Sequence, residues 1–296
     1  NFIPLTAGVS YNSYLLKDEK TILFDTADAR VSGQFLENLN AALEGRKLDG
    51  LVILHMEPDH CALISEVASA HPGIRLYGSG AALTYLNQFF PGLASFPREV
   101  IKEGSILETG RHHIRFTAAP MVHWPEVMVS YDVKDKVVFS ADGFGKFGAL
   151  SADEDWACEA RRYYFNICGK YGAQVQALLK KLSTRDVECI CPLHGPVLKE
   201  NLGYYINLYD IWSSYAVESE GVVIAYTSIY GNTKAAVELL AEKLREKGCP
   251  KVVVNDLARC DMAEAIEDAF RYGKLVLATT TYNGDIFPFM QTFLHG

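Results

Sequence analysis

The sequence predicts a two-part α/β protein: a strand-rich mixed part over residues 1–219, then a doubly wound parallel sheet over residues 220–296. Three observations predict it. The chain has 296 residues, more than one ordinary core serves. Its grammar changes after Gly221, from short strands mixed with turns and helices to strict strand–loop–helix alternation, the pattern of a parallel sheet with crossovers. Between the two lies the polar junction Val217-Glu218-Ser219-Glu220-Gly221, where few contacts are expected to cross.

In the first part, Tyr14–Leu16 and Thr21–Phe24 read as a hairpin turning at Lys17–Lys20. Val31–Leu43 has helical periodicity. Leu51-Val52-Ile53-Leu54 is a continuous apolar run, as expected of a strand covered on both faces. A helix is expected over Cys61–Ala70, and strands near Ile74–Tyr77 and Ile114–Ala118. Val127–Tyr131 and Lys136–Ser140 form a second hairpin, with Asp132–Asp135 at its turn. Residues 153–182 read as helix broken near Cys168–Gly172, Val187–Cys191 as a strand, and Asn201–Ala216 as a helix. In the second part strands are expected over Val222–Tyr226, Lys251–Asn255 and Lys274–Ala278. Helices are expected over Thr233–Lys247 and Asp261–Phe270 and from about Pro288. Three strands fall short of the five or so of a doubly wound domain, so this part is expected to be incomplete at Gly296.

Composition excludes several classes. The formal charge is −8, from 28 basic and 36 acidic residues, with no Lys/Arg-rich block, which does not suit nucleic-acid binding. No apolar run approaches the ~18 residues that span a bilayer. Seven cysteines with no CxxC pair suggest neither a disulfide framework nor a zinc ribbon. Reduced thiols in a cytoplasmic protein are expected, and Cys61 is expected only to pack. The start, Asn1-Phe2-Ile3, shows no basic-then-apolar leader and no initiator Met.

The chemistry concentrates in His55-Met56-Glu57-Pro58-Asp59-His60, directly after the strand Leu51–Leu54. Four potential metal ligands fall within six residues on a strand-to-helix loop, where α/β proteins place their chemistry. Pro58 stiffens the loop. His123, Asp142 and His194 follow, each just beyond an expected strand. One histidine in a loop is commonly a solvated or hydrogen-bonded residue; seven imidazoles and carboxylates at successive strand ends are not explained that way. His71, His112, His113 and His295 lack such a context and are taken as structural or exposed.

A second signal follows Val222–Tyr226, in Thr227-Ser228-Ile229-Tyr230-Gly231-Asn232-Thr233. Hydroxyls, a glycine and an amide precede a helix whose N-terminal N–H groups could cradle one phosphate. The spacing is not that of a P-loop, and such turns are often mere helix caps. The third strand ends in Thr279-Thr280-Thr281-Tyr282-Asn283-Gly284, which would flank the same crevice at the carboxyl edge of the sheet. Tyr282 could lie against an aromatic ring, with the Asn283-Gly284 backbone approaching it closely.

The first constellation resembles the metallo-β-lactamase superfamily, whose dinuclear sites use a loop of the form HxHxDH and then His, Asp and His from later loops. Here Glu57 replaces the second His. A carboxylate in place of an imidazole makes the site harder, which favours iron over zinc, although affinity order alone would not select iron. The HxExDH form is that of flavodiiron proteins, or A-type flavoproteins, which the chain resembles through both parts in order. The two loops of the second part resemble the phosphate and isoalloxazine loops of flavodoxins, with Thr280 standing where such families usually have proline.

The resemblance implies a metallo-β-lactamase-like αββα sandwich followed by a flavodoxin-like sheet. It implies a di-iron centre: one iron on His55, Glu57 and His123, the other on Asp59, His60 and His194, with Asp142 bridging. FMN would be held by Ser228, Ile229, Tyr230, Gly231, Asn232 and Thr233, and by Thr281, Tyr282, Asn283 and Gly284. The implied activity is reduction of O₂ to water, of NO to N₂O, or both, with electrons from a rubredoxin-like protein or reduced deazaflavin. A head-to-tail homodimer or a dimer of dimers is implied too. Trp124 could shape the pocket or simply pack. The rivals are a di-zinc hydrolase using metal-bound hydroxide and an electron-transfer or gas-sensing module without turnover.

Overall fold

Fifteen short strands and ten helices carry the fold in the computed structural model, which describes residues 3–296. Asn1 and Phe2, from which the absence of a leader is expected above, lie outside the described residues. By contact the chain forms two units: Ala7–Ala152 with Ala173–Ile206, and the described residues up to Thr6 with Asp153–Gly172 and Asn207–Gly296. The grouping follows contacts rather than chain order; as a proposal about chain order, we keep the division at 219/220.

The first of these units holds two five-stranded sheets. Strands β1 (Tyr14–Lys17) and β2 (Thr21–Phe24) form the expected hairpin, and β3 (Gly50–Ile53), β4 (Arg75–Ser79) and β5 (Arg98–Ile101) extend it in parallel, in the order β1-β2-β3-β4-β5. The other sheet runs β10-β9-β8-β7-β6. It is built from β6 (Ile106–Glu108), β7 (His113–Ala118), β8 (Met128–Asp132), β9 (Val137–Phe139) and β10 (Cys189–Cys191), antiparallel except for the parallel β9/β10 pair. The sheets meet face to face at Phe24 on β2 and Phe139 on β9, whose rings stack at 4.1 Å and 7°.

Helices α1 (Ser32–Leu43), α2 (Pro58–Cys61), α3 (Ile64–Ala70) and α4 (Gly80–Phe89) follow strands of the first sheet. Leu39 and Leu43 of α1, Ile64 and Val67 of α3, and Leu83 and Leu86 of α4 share one buried cluster with Leu23, Leu51, Ile53 and Leu76 of the strands. The helix expected over Cys61–Ala70 starts earlier and is interrupted. Pro58 opens α2, where a missing N–H costs nothing, and the turn breaks before Ile64 reopens it as α3. Helix α4 and strands β5 and β6 were not anticipated. Mixed burial along β5 and β6 leaves too little period-two signal in three or four residues.

The other unit contains α5 (Trp156–Ile167), which ends where the expected break lies; α6 (Gly172–Leu182) follows it, almost wholly in the first unit. Helix α7 (Leu202–Ser213) spans the end of the first unit's last segment and the start of the second's. Three parallel strands, β11 (Ser219–Tyr226), β12 (Val252–Asp256) and β13 (Tyr272–Ala278), form a sheet in the order β12-β11-β13. On β11, Val222, Ile224 and Tyr226 pack with Val237 and Ala241 of α8 (Asn232–Glu246). Ala225 faces Ala265 and Ile266 of α9 (Met262–Arg271) and Met290 and Phe293 of α10 (Pro288–His295). That alternation is the period-two signature of a strand buried on both faces. A two-stranded hairpin, β14 (Thr281–Tyr282) with β15 (Asp285–Ile286), was also not anticipated; Asn283 and Gly284 turn it, both at positive φ. No helix among the described residues is long and apolar enough to cross a membrane.

Candidate functional site

Seven side chains that follow strand ends of the first unit meet in one place. His55 leaves the end of β3, and Glu57, Asp59 and His60 follow on the loop and on α2. His123 lies between β7 and β8, Asp142 just past β9, and His194 just past β10. The backbone just before two of these positions is unusual: Met121 has φ 65° two residues before His123, and Ala141 has φ 50° directly before Asp142. Such conformations cost of order 1–3 kcal/mol outside glycine and gather at functional sites.

The seven form two groups of potential ligand atoms: His55, Glu57, His123 and Asp142 in one, and Asp59, His60 and His194 in the other. In the first, Glu57 Oε2 lies 3.3 Å from His55 Nε2 and 3.0 Å from His123 Nε2. Asp142 Oδ2 lies 3.3 and 2.9 Å from the same two nitrogens. In the second, Asp59 Oδ2 lies 3.5 Å from His60 Nε2 and 3.3 Å from His194 Nε2. Asp142 turns its other oxygen, Oδ1, to this group, 3.0 Å from His60 Nε2 and 3.7 Å from His194 Nε2. One carboxylate therefore faces both groups.

The electrostatics favour positive charge. Burial opposes charge on His55 and His123, yet the Asp142 and Glu57 carboxylates overcome it. They hold His55 well above the usual imidazole range and His123 at about 9. Burial likewise opposes ionisation of Glu57, but His123 and His55 bring it down to about 2. Asp142 is held well below the carboxylate range, against its burial, by His60, His123 and His55.

The donor set fits metal ions. His60 Nδ1 and Nε2, Asp59 Oδ1 and Asp142 Oδ1 are buried without a hydrogen-bond partner, an expensive state unless something else satisfies them. His60 Nε2 and Asp142 Oδ1 approach closely yet form no hydrogen bond of acceptable geometry. His55 Nε2 and His123 Nε2 stand 3.3 Å apart. Acceptor atoms crowded in this way suit a cation between them.

Other residues hold these side chains, and the sequence reading missed them. Glu126, buried, accepts from His55 Nδ1 at 2.8 Å and from the Met56 N–H at 2.9 Å. Asp25, at φ 52°, accepts the N–H groups of Leu54 and His55, and burial pushes its carboxyl up to about 7. The Thr26 hydroxyl donates to the His60 carbonyl. Asn12 Nδ2 donates to the carbonyls of Pro192 and Gly195 on either side of His194, and His194 Nδ1 donates to Ser10 O at 2.7 Å. The one sequence signal was position: Asp25 and Thr26 directly follow a strand, as the ligand candidates do. Trp124 stands edge-on to His55 at 5.3 Å. Away from the centre, His112 pairs with Asp132 at 2.7 Å, and Lys134 Nζ already occupies the space between His112 and Asp135 at 3.2 Å from each.

In the second unit, Thr227 Oγ1 and Thr279 Oγ1 touch at 2.8 Å and the Thr227 N–H donates to Ala278 O. The loops after β11 and β13 therefore start side by side at the carboxyl edge of the sheet. Gly231 caps α8 at φ 92° and no side chain caps that helix. Its first N–H groups are thus open to an anion, while the Ser228 hydroxyl accepts the Gly231 N–H at 3.1 Å. The helix begins at Asn232, one residue before the expected Thr233. Tyr230 is 91% exposed and Ile229 44%, and on the other loop Tyr282 is 46% exposed and meets the Phe287 ring edge-on at 5.4 Å.

The chain is similar to several known proteins. Residues 9–195 match the family described as "ODP family beta lactamase". The chain is 31% identical over 299 residues to the anaerobic nitric oxide reductase flavorubredoxin of Vibrio vulnificus, covering 96% of this chain and 59% of that one. It is 30% identical over 267 residues to putative diflavin flavoprotein A 2 of Synechocystis, covering 88% and 46%. The chain thus spans about half the length of these curated relatives. Among solved structures, rubredoxin oxygen:oxidoreductase of Desulfovibrio gigas superposes with a TM-score of 0.91 at 28% identity, covering 98% of this chain and 75% of that one.

Proposed function

We infer the function from one premise: this chain belongs to the ODP family of β-lactamase-fold proteins and, with it, to the flavodiiron proteins, combining a metallo-β-lactamase-like part with a flavodoxin-like one. On that premise we propose that it is an oxidoreductase reducing O₂ to water, NO to N₂O, or both. The observation that carries this is Asp142, whose two carboxylate oxygens face two separate histidine groups, one of them completed by Glu57.

His55, Glu57 and His123 would hold one iron, Asp59, His60 and His194 the other, and Asp142 would be shared. An iron pair so held would supply the electrons that reduce the gas, and FMN would replenish them. The chain's own contribution is placement and charge. Glu57, Asp59 and Asp142 bring anionic oxygens that offset the charge of two cations, and their harder character favours iron. Glu126 and Ser10 fix the far nitrogens of His55 and His194, so each ring presents Nε2 inward. Trp124 walls His55 with an apolar edge, limiting water on that side. The uncapped start of α8 with Ser228, Gly231, Asn232 and Thr233 would take the FMN phosphate. Ile229, Tyr230 and Thr281–Gly284 would line its ring.

The donor class consistent with the relatives' names is a rubredoxin-type protein; reduced deazaflavin is the alternative, and a head-to-tail homodimer or dimer of dimers the proposed assembly. The test is metal content after anaerobic purification, followed by gas consumption with a chemical reductant. Close to two irons per chain, with steady O₂ or NO consumption, is expected. Two tightly retained zincs in iron-rich growth, with no gas consumption, would sink the proposal in favour of a hydrolase.

A further inference from the structure

We infer that Glu126 is a positioning residue for the His55 half of the metal centre, and that its charge makes the two halves unequal in affinity. The inference rests on the reading of the seven-residue site as a metal pair.

The Glu126 side chain is wholly buried. Its Oε1 accepts two hydrogen bonds, from His55 Nδ1 at 2.8 Å and the Met56 N–H at 2.9 Å, and its Oε2 has no partner. Among the described residues no lysine or arginine pairs with it; His55 is the only ionisable group within ion-pair distance. Its backbone is fixed as well, since the Ser79 hydroxyl donates to Glu126 O at 2.8 Å while capping α4. A buried carboxylate with no cation beside it is costly. The charge it can offset lies through the imidazole, at the centre itself.

The consequence for His55 is directional. With Nδ1 donating to Glu126, Nε2 is left to face Glu57, Asp142 and His123. A carboxylate behind a ligating imidazole also raises its basicity. The other half is held differently. His194 Nδ1 donates to the neutral main-chain oxygen of Ser10, and His60 Nδ1 has no partner. A carboxylate therefore hydrogen-bonds directly behind the His55 ring, whereas the far nitrogen of His194 meets a main-chain oxygen, so the first group binds a divalent ion more tightly than its ligand set alone would.

The experiment is a zinc titration against a competing chelator, in the wild-type chain and in Glu126→Gln, which keeps size and an acceptor but removes the charge. Wild type is expected to bind two zinc ions. In the variant one site weakens about tenfold or more while the other stays within about twofold. The His55 imidazole resonances identify the weakened site as its own. Two unchanged affinities, or two that fall together, overturn the inference. If Glu126→Gln does not fold, the zinc-loaded wild type decides. A strongly deshielded His55 Nδ1 proton is expected there, and its absence overturns the assignment. A wild type that binds no pair of ions removes the metal-pair reading, and this inference with it.

Discussion

Glu218 accepts both prongs of the Arg161 guanidinium, with Nε and Nη2 each 2.6 Å from one of its carboxylate oxygens. Trp212 Nε1 donates to the same carboxylate at 2.6 Å, and Arg161 Nη1 reaches Glu267 at 3.0 Å. Helices α5, α7 and α9 are thereby tied to the start of β11. Glu218→Ala leaves a buried guanidinium with one partner where it had two. The expected cost is about 3–5 kcal/mol, read as a lower urea midpoint by the fluorescence of Trp156 and Trp212. Replacing Arg161 and Glu218 together with methionine should recover much of the loss.

Glu267 gives this unit a pH dependence. Burial raises its carboxyl to about 7, against the pull of Arg161, whose charge Glu218 already engages through two bonds. The folded chain therefore keeps a proton that the unfolded chain releases near 4.5. The stability this contributes is fully present below about pH 4.5 and is lost as pH rises through about 7. Glu267→Gln should flatten that decline in urea midpoints measured from pH 4.5 to 8, leaving the slope from other groups.

Phe24 and Phe139 set how the two sheets of the first unit meet. Phe24 is fully buried, so Phe24→Ala removes a ring that nothing nearby can replace. A loss of about 3–5 kcal/mol is expected, with a smaller one for Phe24→Leu. Thermal unfolding followed by the near-ultraviolet signal checks both.

Asp142→Asn tests the shared carboxylate. The amide keeps the shape but removes the charge, and offers only one oxygen to the two groups. Metal bound per chain should fall from about two to one or fewer, measured by elemental analysis. An unchanged pair of ions would mean that Asp142 is not the bridge.

Gly231→Ala tests the loop before α8. A Cβ there meets no atom within 4 Å, but φ is 92°. The penalty is therefore conformational, about 1–2 kcal/mol. Weaker FMN binding should follow, read by flavin fluorescence quenching, with the metal content unchanged.

The candidate site was legible to the extent that its chemistry is local. His55, Glu57, Asp59 and His60 are set by one strand-to-helix loop, and the sequence displays them in order. His123, Asp142 and His194 could be found because each follows a strand, and strand ends converge in this class of fold. Glu126 could not, and Asp25 only by its place directly after a strand. Their role is to accept hydrogen bonds from residues 71 and 30 positions away, and a carboxylate after Trp-Pro looks like any surface acid. Helix α2 begins at Pro58 for a reason present in the sequence, while β5 and β6 are too short to show a period.

By itself, then, the sequence determined the strand–helix alternation of the three-stranded parallel sheet, most strands of the first unit, the seven ligand candidates and the two loops that flank one sheet edge. These are fixed by residue spacing, turn chemistry and side-chain type. Tertiary structure alone decided which oxygen of Asp142 faces which histidine pair, that Glu126 backs His55 while a neutral carbonyl backs His194, and that Arg161 joins Glu218 and Glu267. Each depends on side chains far apart in the chain meeting in low dielectric. There distance and burial set the energy, and neither is written in the order of residues.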